Sequence, residues 1–272
     1  MSIKLIACDL DGTLMAADHI TVTQRTYNTL LRAHKTGVKL AIATGRTLNF
    51  TDDVTAQIPF VDYVIYSNGA CVYDRAAKKN IYTNCIPAAQ TSEILELLNG
   101  FDMYYNAYYG GMVYVQENKI RHYKNHDLPQ AFLEQFIRCS NVCEDMKKEL
   151  DGKEAEIVAM YSVSDEDKKL LVEKFEGMHL HITSSLVDEF EVTASDVNKG
   201  TAIKGLCEAI GISAADAMAF GDAMNDYEMI CAVGHPYAMG NACDELKRAA
   251  KNIALTNAED GVAVAVEKKL GL

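Results

Sequence analysis

The amino-terminal stretch Ile3–Leu14, I-K-L-I-A-C-D-L-D-G-T-L, sets two carboxylates, Asp9 and Asp11, directly after a short apolar run. Two neighbouring carboxylates with no base between them repel, so such a pair needs a shared proton or a cation. A small hard ion held by one or two carboxylates plus substrate oxygens is the usual setting of Mg2+, with waters completing the octahedron. The chemistry on offer is metal-assisted work on an anionic group. An Asx-Gly turn after an ordinary strand would be spelled with the same letters, so the rest of the chain has to decide.

Three further places put polar groups at the end of an apolar run or the start of a helical one. They are Thr44-Gly45-Arg46, Lys199, and Asp222-Ala223-Met224-Asn225-Asp226. A hydroxyl and a glycine amide at a helix start suit phosphate oxygens; a lysine adds a point charge there and an asparagine an amide donor. Singly, each has a plainer reading: Thr44 as an N-cap, Lys199 as a solvated charge, Asn225 and Asp226 as caps of a helix through Ile230. Arg46 stands between two uses, reaching a ligand or pairing with an acid. Asn68, in Ser67-Asn68-Gly69-Ala70, either orders the edge of the same site or forms an Asn-Gly turn. Asn241 reads as the cap of a helix from Ala242.

These residues need a scaffold that delivers them to one edge. Leu5–Cys8 is too short for an independent helix and reads as a buried strand. Side chains two apart on an extended chain project to one side, which predicts that Asp9 and Asp11 face one small volume while Gly12 permits a sharp exit. Thr21 and Gln24 have capping-box spacing ahead of a helix that carries Tyr27, Leu30, Leu31 and His34 on its core face and stops at Gly37. Strands over 38–43, 63–66 and 217–220, a helix over 47–58 and a hairpin over 70–82 follow the same logic. Strand-helix-strand order implies parallel pairs, and ligands gather at the carboxyl ends of such strands.

From 83 to 189 the texture changes, with more tyrosine and charge. Helices are expected at 88–98, 130–138 and 165–176. Strands are expected near 103–109, 112–116, 119–123, 156–163, 179–184 and 190–193, an α+β insert with antiparallel runs. The first pattern then returns with a helix after Lys199, a short strand-like piece near 232–233, and helices from Ala242 and Asp260.

Taken together and in this order, the four segments resemble the four motifs of the haloacid dehalogenase (HAD) superfamily of aspartate-nucleophile phosphotransferases. The insert resembles the type IIB cap of the Cof-like hydrolases, and Asn68-Gly69-Ala70 and Asp260-Gly261-Val262-Ala263 are similar to that group as well. The resemblance implies an α/β fold: a Rossmann-like parallel-sheet HAD core over 1–82 and 190–272, with an inserted α+β cap of type C2B over 83–189. It implies a Mg2+-dependent phosphatase of small phosphorylated metabolites, sugar phosphates foremost, with pyridoxal phosphate and flavin mononucleotide also open. By resemblance Asp9 is the nucleophile that forms a phosphoaspartate, and Asp11 is the general acid/base that also binds metal through its backbone carbonyl. Asp9 and Asp222 supply metal carboxylates, and Asp226 holds metal waters. The Leu10 amide, Thr44, Gly45, Lys199 and Asn225 bind phosphate. A phosphomutase on a related scaffold and a non-catalytic phosphate-responsive regulator are the alternatives; the presence of both Asp9 and Asp11 weighs against the regulator.

Within the insert, Tyr104, Tyr105, Tyr108, Tyr109 and Tyr114 cluster in strand patterns, which favours sheet packing over ligand stacking for most of them. Arg121, His122 and His126 are candidates for a second anionic group. The net charge of −12 argues against a nucleic-acid partner. No apolar run approaches the roughly eighteen residues of a membrane span, and the chain opens on a strand rather than a leader. A cytoplasmic protein without a membrane partner is expected, with no particular oligomeric state. Eight cysteines without a C-x-x-C pair suggest no staples; Cys139 and Cys143, four apart, could share a helix face as a metal pair, but two small half-buried residues is the commoner meaning.

Overall fold

A computed structural model describes residues 3–122, 136–183 and 190–272. The chain divides into two compact units, Met1–Thr83 with Asn198–Leu272, and Asn84–Val197.

The first unit is built on an eight-stranded sheet. Its strands are β1 (Leu5–Cys8), β2 (Lys39–Ala43), β3 (Tyr63–Tyr66), β4 (Cys71–Asp74), β5 (Lys79–Thr83) and, after the second unit, β12 (Ala217–Gly221), β13 (His235–Ala238) and β14 (Asn252–Ile253). The order is β14-β13-β12-β1-β2-β3-β4-β5. Every residue of β1 and β12 is buried, the unbroken apolar run that a strand covered on both faces requires. β1 pairs in parallel with both β12 and β2. The chain moves to one side of β1 for β2 and β3 and returns on the other for β12 and β13, so the carboxyl end of β1 lies where the strand order reverses. A crevice opens at such a point.

Several local expectations are corrected. The helix over Gln24–Lys35 is capped by Thr23, whose side chain accepts from the Thr26 amide at 3.1 Å, and its buried face is Thr26, Thr29, Leu30 and Ala33. His34 pairs with Asp62 at 3.3 Å. The segment 47–58 is a short 3-10 turn, Leu48–Thr51, followed by a helix over Asp52–Gln57. Residues around 232–233 end a helix, Tyr227–Ala232, and the strand is β13 instead. The helix expected from Ala242 starts at Asp244 with Cys243 as its N-cap, so Asn241 does not cap it.

The second unit carries a six-stranded sheet of β6 (Tyr104–Tyr109), β7 (Met112–Gln116), β8 (Asn141–Cys143), β9 (Ile157–Tyr161), β10 (His181–Thr183) and β11 (Phe190–Thr193), in the order β10-β11-β9-β6-β7-β8. One face packs Tyr105, Ala107, Val158, Met160, Phe190 and Val192 with Ile94, Leu98, Leu171 and Phe175 from the helices Ala88–Asn99 and Asp165–Gly177. Strand alternation therefore splits the tyrosines: Tyr105 joins this core and donates to Asn99 Oδ1 at 2.8 Å, while Tyr104 and Tyr108 lie on the opposite face. Glu117–His122 is a 3-10 helix rather than a strand, and Cys143 lies in β8, not on a helix. His126 and most of the helix expected over 130–138 lie outside the described residues, as does the side chain of His122.

Candidate active site

The apolar letters of β1 stop at Cys8, and so does the strand. Residues Leu10–Leu14 wind into a wide turn in which the Leu14 amide donates to Asp9 O at 3.1 Å and the Met15 amide to Leu10 O at 3.0 Å. Gly12, at φ +80, makes this turn close, and a Cβ there would run into the Asp222 carboxylate. The turn defeats the expected alternation. Asp9 stays inside, 7% exposed. Asp11 swings out and pairs in two-pronged fashion with Arg46, Nη2 to Oδ1 at 2.6 Å and Nε to Oδ2 at 3.0 Å. His19 Nδ1 stands 3.9 Å from the same carboxylate.

Asp9, Asp222 and Asp226 do converge: each offers an oxygen, and all three lie within 4.8 Å of one another. Two adjacent parallel strands bring them there, Asp9 following β1 and Asp222 following β12. Lys199 opens the helix Lys199–Ala209, behind its N-cap Asn198. Its Nζ is fully buried and donates at 2.7 Å to Asp9 Oδ1 and at 2.7 Å to Asp226 Oδ1. The other oxygen of Asp226 accepts from the amides of Asp222 at 2.9 Å and Ala223 at 3.1 Å. The plainer readings of Lys199 as a solvated charge and of Asp226 as a mere helix cap therefore fail.

Electrostatics follow from this crowding. Burial raises the Asp9 carboxyl; Lys199 opposes the rise, Asp226 and Asp222 add to it, and the pKa is pushed up to about 7. Burial alone would depress the Lys199 ammonium, but Asp9 and Asp226 outweigh it and the group stays charged. Asp222, half-buried, is also raised by burial, against the Thr13 hydroxyl that donates to it at 2.8 Å.

The remaining expected residues line the same edge. Thr44, buried, accepts the Arg46 amide on Oγ1 at 3.2 Å, and its own amide donates to Ile65 O at 2.9 Å. Gly45 follows it. Leu10 is buried within the wide turn. Asn225 is exposed and donates to Asn68 Oδ1 at 3.2 Å. Sequence reasoning missed Thr13, and it misjudged Asn241. The Asn241 side chain donates to Gly12 O at 2.8 Å and accepts from the Asn257 amide at 3.1 Å, while Asn257 Nδ2 donates to Met15 O at 3.1 Å. Thr13 lies within D-G-T, where a hydroxyl beside paired acids was a signal to be had; Asn241 and Asn257 leave none, because the bonds that tie them to Gly12 and Met15 span more than two hundred residues.

An α/β chain with buried acids at the switch point of a parallel sheet, interrupted by a second α+β unit, is the class that fold and site define. The family comparison is specific. Residues 6–266 match the haloacid dehalogenase-like hydrolases, and the chain belongs to that family, in its Cof-like phosphatase group with an inserted cap domain. It is similar to the phosphatase YwpJ of Bacillus subtilis, 28% identical over 279 residues, covering 96% of this chain and 97% of that one. It is similar to the HMP-PP phosphatase of Escherichia coli K12, 30% identical over 249 residues, covering 90% and 86%. Among solved structures, a haloacid dehalogenase-like hydrolase of Bacteroides thetaiotaomicron superposes with a TM-score of 0.80 at 26% identity, covering 98% of this chain and all of that one. The enzyme class is accordingly that of a phosphatase.

Proposed function

We propose that this chain is a Mg2+-dependent phosphatase that hydrolyses small phosphorylated metabolites, sugar phosphates foremost, through a phosphoaspartate on Asp9. The observation that carries the proposal is the buried Lys199 ammonium held between Asp9 and Asp226 inside a three-carboxylate cluster at the switch point. Three carboxylates against one ammonium leave negative charge to neutralise, and an all-oxygen donor set suits a hard divalent ion. Asp9, Asp222 and the Asp11 backbone carbonyl would hold that ion, with Asp226 behind them. A bound Mg2+ would supply the charge neutralisation that lets a carboxylate approach a phosphate.

The chain's own groups do the rest. The Asp9 carboxylate attacks phosphorus, giving an acyl phosphate and splitting one hard displacement into two easier ones. Lys199 has three hydrogens and uses two on carboxylates, leaving one for a phosphate oxygen. Thr44, whose hydroxyl oxygen already accepts the Arg46 amide, keeps its proton for a second. The Leu10 and Gly45 amides and the Asn225 side chain complete the cradle. Asp11, once clear of Arg46, takes up a proton from solvent and gives it to the departing alkoxide, then takes a proton from the water that hydrolyses the phosphoaspartate. The unit Asn84–Val197, placed between the second and third motifs, serves as a cap that excludes water and selects the leaving group. A cytoplasmic setting goes with substrates whose charge keeps them inside cells; among the described residues no helix is long and apolar enough to cross a membrane.

A screen of phosphorylated metabolites with Mg2+ present tests the reading. Turnover should disappear in excess chelator, and Asp9→Asn should lower it by at least about a thousandfold with the fold intact. Full activity in chelator would remove the metal, and an absolute need for a bisphosphorylated activator would make the enzyme a mutase.

A further inference from the structure

Ser67, Asn68 and Gly69 occupy the left-handed backbone region one after another, at φ +49, +53 and +100. Two of the three carry a Cβ, and such residues stay there only where the surroundings over-determine them, most often beside a functional site. The surroundings here are the site's own segments. The Ser67 amide donates to Arg46 O at 2.9 Å and the Asn68 amide to Thr44 O at 3.1 Å. Gly69 packs so tightly on the peptide between Asn198 and Lys199 that a Cβ would collide with Asn198 O. The Asn68 side chain reaches the fourth segment, accepting from Asn225 Nδ2 at 3.2 Å, and its Oδ1 lies 2.9 Å from where a Cβ on Gly45 would sit. One three-residue turn thus touches the loop of Thr44, the helix start of Lys199 and the loop of Asn225.

We propose that Asn68 is a positioning residue of the phosphate cradle: its Oδ1 takes one amide hydrogen of Asn225 and so aims the other, over Gly45, at the transferring group. The strained turn fixes the distance between the two asparagines. The inference rests on the phosphatase reading above, and it gives the Asn-Gly pair a use beyond turning the chain.

The test compares wild type, Asn68→Gly, Asn225→Ala and the double variant. Each is assayed for hydrolysis of p-nitrophenyl phosphate with Mg2+, for competitive inhibition by inorganic phosphate, and for Tm. Glycine accepts the left-handed conformation without strain, so Asn68→Gly should fold with an unchanged or higher Tm. Its KM and its Ki for phosphate should rise about tenfold, the loss of one hydrogen bond to a charged group, with kcat changed less than about twofold. Asn225→Ala, which leaves the turn untouched, should show the same rise. The double variant should be no worse than Asn225→Ala, because Asn68 acts through that amide. An unchanged Ki in Asn225→Ala would overturn the proposal even if Asn68→Gly failed to fold. So would fully additive losses in the double variant, since Asn68 would then act by another route. A wild-type protein that hydrolyses no phosphate ester would remove the phosphatase reading and this one together, before any variant is compared.

Discussion

Lys199 shows how much of a residue's meaning depends on burial. As a lone letter before a helical pattern it reads as a solvated charge, and only its place among the four segments points to a site; its type and place were legible, its environment was not. In the fold its ammonium has no exposure and bonds two carboxylates. Replacing it by methionine keeps the volume and strands Asp9 and Asp226 as buried charges without a counter-ion. Such truncations cost about 3–5 kcal/mol, so Lys199→Met should lower Tm sharply as well as abolish turnover, and an unchanged melting profile would contradict the buried pairing. Asp9 carries a pH prediction. Its pKa is pushed up to about 7 against 3.8 as a reference, so the folded chain keeps a proton that the unfolded chain releases. That contribution to stability is complete below about pH 4 and is lost as pH rises through about 7. A divalent cation held by Asp9, as proposed, would have to displace that proton, so Mg2+ should raise Tm more at about pH 8 than at about pH 5.5. An equal rise at both would place the cation elsewhere.

At the scale of elements, the strands that deliver the site were readable because covered parallel strands are written as unbroken apolar runs. What failed was the turn directly beyond β1. Nothing in D-L-D-G separates two more extended residues from a wide turn, and the turn sends Asp11 to Arg46 instead of beside Asp9. β13 was missed for a related reason. Pro236 demotes that run as a strand, yet β14 pairs only from Tyr237 onward, so the ladder on that side never calls on the proline. The wide turn is held by side chains from far along the chain, Thr13 to Asp222 and Asn241 to Gly12. Asn241→Ala should therefore cost roughly 1 kcal/mol of stability and slow turnover more than it weakens phosphate binding, because it loosens the segment that carries Asp9, the proposed nucleophile. A change in KM alone would mean that the turn holds without it.

At the scale of the molecule, the second unit is one continuous stretch, Asn84–Val197, with its own sheet and its own buried cluster. Such a stretch meets the physical description of a domain. Expressed alone, it should melt cooperatively with the circular dichroism of an α+β fold, and a chain without a transition would show that its core depends on the rest. The presence of an insert was legible from the change in texture. Its sheet was only partly so, because β8 is three residues long and pairs in parallel with β7 from across a long connection. The first unit has the opposite construction: β1 lies between β2 and β12, and its partners in β12 stand more than two hundred residues further along the chain. On the ribosome, then, β1 emerges more than two hundred residues ahead of the strand that will cover its second side. The insert can fold while β1 still waits with one side unpaired, so a chain stopped short of β12 would lack Asp222 and Asp226 and should be catalytically silent.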